Sequence, residues 1–377
     1  MDRHAGGRRA PPAFLLPAAA VLAAALVLAG LSAAAADADG AGGHPQGPAS
    51  PGVVAAKAGS LPSAGGSVAD GRPRLIGTVE RDPALPGSPT VYLAQADLPG
   101  GWAVMGEATS ERRAEDLAAL GARSLPEALA YAGAATGVPL SPRVDVTLTE
   151  HALYQAEAAR YLGPALAASS AGYVHGLPAE PMVEVDADAA GGGLTPLLAH
   201  ELMHAVLLRD GLDRSLPLWA NEALAVEAQA RALCGSSGSG CQVWSALGGL
   251  VIGAGLERRP PSSYVAALAD PAEYDALRSR SVVSEEWVGW LALRWLAAHS
   301  PAGRLDAPGF LAAVRADGYA AAFRESFGVG ERAGLAEVTA WVRRAETGGG
   351  WDPRAFMPAV PGAGGQAAAP AARSPAA

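Results

Sequence analysis

Apolar positions along the chain follow two periods. Residues 143–149 alternate apolar and polar with a period of two and read as the cleanest strand. Residues 75–79 and 90–93 are shorter strand candidates, rich in β-branched side chains and flanked by turn formers. Residues 181–186 read as a further strand, reached from residues 171–176 and followed by the glycine hinge Gly191, Gly192 and Gly193. Leu117, Leu120, Leu125, Leu129 and Ala132 instead form a helical stripe across residues 111–136, with Pro126 a point where the helix would restart. Residues 151–162 are a short helix. From Thr195 onward helices dominate. Residues 285–299 carry Trp287, Val288, Trp290, Leu291, Leu293, Trp295 and Leu296 behind the candidate cap Ser284. Arg294 and its length keep that segment from spanning a membrane. Residues 310–314, 319–327 and 335–342 complete the helical part, and no internal repeat is evident. The pattern predicts an α+β fold: a small mixed sheet with an antiparallel edge strand, then a helical subdomain, with a cleft between them.

The most apolar of these helices contains three polar residues. His200, Glu201 and His204 form H-E-x-x-H among Leu197, Leu198, Leu202, Met203, Val206 and Leu207. Positions four apart share a helix face, so both imidazoles reach one metal ion. Glu201 is offset around the helix, where it serves as general base for a water at that metal. Thr195 is a candidate N-cap, Pro196 a candidate first helical residue, and Gly211 a candidate left-handed terminus. Buried His and Glu need partners, and a metal satisfies them together. A catalytic zinc takes three protein ligands and leaves a fourth position open. Glu222, near the start of a second helix opened by Pro217, is the natural third ligand.

H-E-x-x-H followed by P-x-W-x-N-E-x-x-A resembles the gluzincin zinc metallopeptidases, closest to the peptidase-MA-like families. The resemblance implies a thermolysin-like catalytic core, one zinc per chain held by His200, His204 and Glu222, and Glu201 as base. It implies a peptide or protein substrate, with an edge strand just before the zinc helix lining the cleft. Two departures stand out. Ala223 occupies a place where relatives carry glycine, bringing a methyl group close to the metal. Ser281 stands where relatives carry the tyrosine that donates to the oxyanion. His175, Tyr173, Tyr264 and Tyr274 are the substitute donors to consider. The alternative function is a zinc-bearing binding protein of the cell envelope that does not hydrolyse its ligand.

Composition adds the setting. The 377 residues carry a net charge of −9, which argues against nucleic acid or an anionic membrane surface as the main partner. Arg3, Arg8 and Arg9 precede an apolar run at residues 14–31 and an A-x-A site at Ala34, Ala35 and Ala36. Residues 1–36 therefore read as a signal peptide or an N-terminal membrane anchor, placing the rest outside the cytoplasm. Residues 37–72 read as a disordered Gly/Pro/Ala linker, 73–347 as the peptidase-MA-like domain that the resemblance implies, and 348–377 as a disordered C-terminal tail. The chain's two cysteines, Cys234 and Cys241, enclose a Gly/Ser loop and read as a disulfide in an exported protein. A monomer is expected.

Overall fold

The computed structural model describes residues 72–80, 89–138, 140–141, 144–168, 170–189, 193–236, 261–278 and 282–348. The proposed leader, most of the linker, the C-terminal tail, Ser281 and the Cys234–Cys241 pairing lie outside the described residues. No described helix is long and apolar enough to cross a membrane.

The fold is α+β, with one mixed six-stranded sheet. Its strands are β1 (Pro73–Glu80), β2 (Thr90–Asp97), β3 (Ala103–Ala108), β4 (Asp145–Thr149), β5 (Gly172–Leu177) and β6 (Glu180–Asp186). They lie in the order β1-β2-β3-β4-β6-β5. The centre, β3-β4-β6, is parallel, and antiparallel pairs flank it on both sides. The edge nearest the candidate site is β5, residues 172–177. The strand immediately preceding the H-E-x-x-H helix, β6, is interior. β5 and β6 form a tight hairpin, so the strand that reaches the helix last pairs inward and its partner is left at the rim.

β3 carries no apolar pattern that marks it as a strand in the sequence. Val104, Gly106 and Ala108 alternate inward, but two of the three are too small to register as an apolar face. Their smallness has a use. A Cβ on Gly106 would lie 2.0 Å from the Ala114 carbonyl oxygen, so the covering helix crosses the sheet in backbone contact. That helix, α1 (Glu111–Thr136), buries Ala114, Leu117, Ala118, Ala122, Leu125, Ala128 and Ala132 along one stripe. Ser110 caps it by accepting from the Arg113 N–H at 3.4 Å. It runs through Pro126 as one helix rather than restarting there.

α2 (His151–Tyr161) and the single turn α3 (Pro164–Ala167) pack at the β5 edge of the sheet, where Tyr154, Ala158 and Ala167 cluster with Tyr173. After β6 come α4 (Leu194–Arg209) and α5 (Leu218–Ser236), which pack against each other as a hairpin. The remaining helices are α6 (Pro261–Ala267), α7 (Pro271–Arg278), α8 (Val282–His299), α9 (Ala307–Asp317), α10 (Tyr319–Phe327) and α11 (Glu331–Gly348). α8 starts at Val282, two residues before the expected cap Ser284. It packs on α5 so closely that a Cβ on Gly289 would meet the Trp219 carbonyl oxygen at 3.0 Å. Behind α5, Glu227 is fully buried and accepts from Arg231 Nε at 2.9 Å, Trp290 Nε1 at 2.9 Å and Arg294 Nη1 at 3.4 Å. These bonds compensate a carboxylate that would otherwise be costly to bury.

Candidate metal centre

α4 begins at Leu194 with Gly193 as its cap residue, so Thr195 sits inside the helix and not at its boundary. Leucines at 198, 202 and 207 and Met203 bury the helix on nearly all sides. His200 and Glu201 are only 6% and 5% exposed. The helix stops at Asp210, and Gly211 takes a left-handed φ of 68°, as its position suggested. The N–H groups of Leu212 and Asp213 bond back to the Leu207 carbonyl. Pro217 then presents its carbonyl to Ala220 and Asn221, and α5 returns against α4. This short turn carries Glu222 back over the two histidines.

The three donor atoms converge. His200 Nε2 and His204 Nε2 are 3.1 Å apart. Glu222 Oε2 lies 3.2 Å from His204 Nε2 and 3.8 Å from His200 Nε2. Tetrahedral ligands about 2.0–2.1 Å from zinc stand roughly 3.3 Å from one another. Two sides of the observed triangle are close to that spacing and the third, at 3.8 Å, is wider. His200, His204 and Glu222 could therefore hold a metal ion.

Two further contacts orient the rings. His204 Nδ1 lies 2.8 Å from Asn221 Oδ1, and His200 Nδ1 lies 3.2 Å from Gln229 Oε1. An imidazole that donates N–H to a carbonyl oxygen from Nδ1 keeps the Nε2 lone pair free for a metal. Neither role was expected from the sequence. Asn221 stood inside the matched motif, and Gln229 follows Glu222 by seven residues, two helical turns, which returns it to the same face.

The electrostatics also call for a cation. Burial pushes the His204 pKa down, but the neighbouring Glu222 carboxylate, helped by Glu201 and the Asn221 contact, raises it to about 9. Positive charge at this point compensates the buried Glu222 carboxylate.

Glu201 faces the edge strand. A Cβ added to Gly172 would lie 2.6 Å from Glu201 Oε1, so the absence of a side chain on β5 leaves the carboxylate its place. A cleft of 250 Å³ opens over this region, lined by His200, Glu201, His204 and Glu222 together with Gly172, Val174 and Leu218. The base candidate and the ligand candidates thus share one wall of one cleft.

The oxyanion candidates do not gather there. Strand alternation turns His175 to the sheet face opposite Gly172 and α4. Its ring packs 4.5 Å from Tyr161 and 5.2 Å from Tyr173. Tyr173 borders the cleft, but its hydroxyl donates to Glu184 Oε2 at 2.6 Å. Tyr264 and Tyr274 are buried within α6 and α7 and are not among the cleft-lining residues. The Ala223 methyl is buried against α8, where a Cβ on Gly289 would meet it at 3.7 Å.

Comparison with models of known protein families, with curated proteins and with solved structures finds no match for this chain.

Proposed function

We propose that the protein is an extracytoplasmic, zinc-dependent metallopeptidase with a gluzincin-type, thermolysin-like centre. The observation that carries this reading is the convergence of His200, His204 and Glu222 within 3.1–3.8 Å at a cleft that also holds the Glu201 carboxylate. The resemblance of the H-E-x-x-H and N-E-x-x-A segments supports the same assignment.

His200, His204 and Glu222 would hold the metal. When bound, zinc polarises a carbonyl and makes a water more acidic. Glu201 supplies the proton transfers: it accepts a proton from the attacking water and delivers it to the leaving amine nitrogen. The carbon–oxygen bond forms first and gives a tetrahedral centre; the carbon–nitrogen bond breaks once Glu201 has protonated the nitrogen, and Glu201 ends in its starting state. Asn221 and Gln229 hold the imidazoles in the tautomer that ligation needs. Gly172 leaves room for the base to face the cleft. The pattern of residues 1–36 supports export, so the substrate would be an extracytoplasmic peptide or protein.

The test is zinc stoichiometry beside peptide cleavage. Wild type is expected to hold one zinc, and Glu222→Ala is expected to lose it. Glu201→Gln should keep the metal and lose about 10²–10⁴-fold in cleavage rate. Cleavage by Glu201→Gln at the wild-type rate would overturn the assignment of the base. Retained zinc with no cleavage of any unstructured peptide would favour a non-hydrolytic binding protein of the envelope.

A further inference from the structure

Gln229 lies outside the matched motif segments, yet its Oε1 stands 3.2 Å from Nδ1 of the first histidine, His200. We propose that Gln229 is the positioning residue for His200 and that its neutral amide sets the strength with which the centre holds its metal. This inference rests on the metal-centre reading above.

The geometry leads to it in three steps. To ligate through Nε2, His200 must carry its proton on Nδ1, and that buried N–H needs an acceptor. Gln229 Oε1 stands 3.2 Å from Nδ1, which requires the amide oxygen, not the amide nitrogen, to face the ring. Glu227, the nearest acid along the same helix, is committed to Arg231, Trp290 and Arg294, so it does not compete for this role.

The chemistry of the acceptor then matters. A carboxylate accepting from Nδ1 draws the proton toward itself, makes the imidazole more electron-rich and tightens metal binding. An amide carbonyl does this more weakly. Here both histidines are backed by amides, Asn221 at 2.8 Å and Gln229 at 3.2 Å. Glu222 is then the one anionic ligand among the three, and a bound dication retains more of its positive charge. The expected centre is a strong Lewis acid that gives up its metal more readily than one backed by carboxylates. α5 supplies all of these contacts from one face: a ligand and the acceptor for each imidazole.

Zinc affinity measured by competition with a chromophoric chelator tests the proposal, on the full chain and two variants. Gln229→Met keeps the length and removes the acceptor; Gln229→Glu keeps an acceptor and adds charge. Circular dichroism and melting of the metal-free proteins check that all three share one fold. The Met variant is expected to bind zinc about 10–100-fold more weakly, and the Glu variant at least as tightly as wild type. A side chain that only fills space would leave the Met variant unchanged, and that result overturns the proposal. A Glu variant weaker than wild type also overturns it. If wild type itself takes up no zinc, the metal-centre reading fails first, and the three measurements separate that failure from the failure of Gln229's role.

Discussion

At the scale of single residues, the centre depends on what is missing from the edge strand. Gly172 has no Cβ, and an added one would lie 2.6 Å from Glu201 Oε1, well inside contact distance. Gly172→Ala is therefore expected to displace the carboxylate while leaving His200, His204 and Glu222 in place. Zinc content should remain at one per chain and peptide cleavage should fall by at least about 10²-fold, the scale on which misplaced catalytic groups act. Equal cleavage by wild type and Gly172→Ala would show that Glu201 adapts or that another group is the base. Ala223 illustrates the reverse case. Its methyl looks obstructive when only the ligand next to it is considered, but the space it fills is provided by Gly289 on α8.

At the scale of elements, the sheet carries an unusual load on the face turned away from α4. Glu184 on β6 is 6% exposed, accepts from Tyr173 at 2.6 Å and from Thr149 at 3.2 Å, and stands 3.8 Å from His175. Burial pushes its pKa up to about 7 from 4.5, against the stabilising effect of the Tyr173 and Thr149 hydrogen bonds; Glu107 and Glu157 add to the rise. A carboxyl group with a raised folded-state pKa binds its proton more tightly in the folded state. Its contribution is therefore greatest below the unfolded value near 4.5 and is lost as pH rises toward 7. The loss is at most about 3 kcal/mol for a shift of this size. Urea unfolding between pH 4.5 and 8 is expected to show this decline, flattened in Glu184→Gln. A Gln variant with the same pH slope as wild type would remove Glu184 as its source. The cluster adjoins the cleft, because Tyr173 follows Gly172 directly on β5 and both residues line the cleft.

For the whole molecule, the two helices of the centre are joined by the ligand set itself. His200 and His204 come from α4, and Glu222 comes from α5. A metal bound to the folded chain and not to the unfolded one stabilises the fold by about 2.7 kcal/mol at a hundredfold excess over the dissociation constant. For a domain of this size that amounts to a rise in melting temperature of about 5 °C. Chelation of wild type is expected to lower the melting temperature by that amount. Glu222→Ala should melt at the same temperature with and without chelator. A chelator-insensitive wild type would sink the idea that metal binding and folding are linked here.

The local chemistry was legible in the order of residues. Four-residue spacing puts His200 and His204 on one helix face, and Pro217 with the turn before it returns Glu222 toward them, because helix geometry and turn preferences act over a few residues. The main strands and helices were legible for the same reason, wherever apolar side chains were large enough to mark a period. β3 was not, since Gly106 and Ala108 face the core without contributing to an apolar pattern. The tertiary structure decided what depends on distant segments meeting. It made β5 rather than β6 the edge, set Gly172 against Glu201, and turned His175 away from the metal triad. It also brought Gln229 to His200 and Gly289 to Ala223. In each case the two partners lie far apart along the chain or one element removed, and only the packing of helix on sheet and helix on helix determines whether their side chains meet.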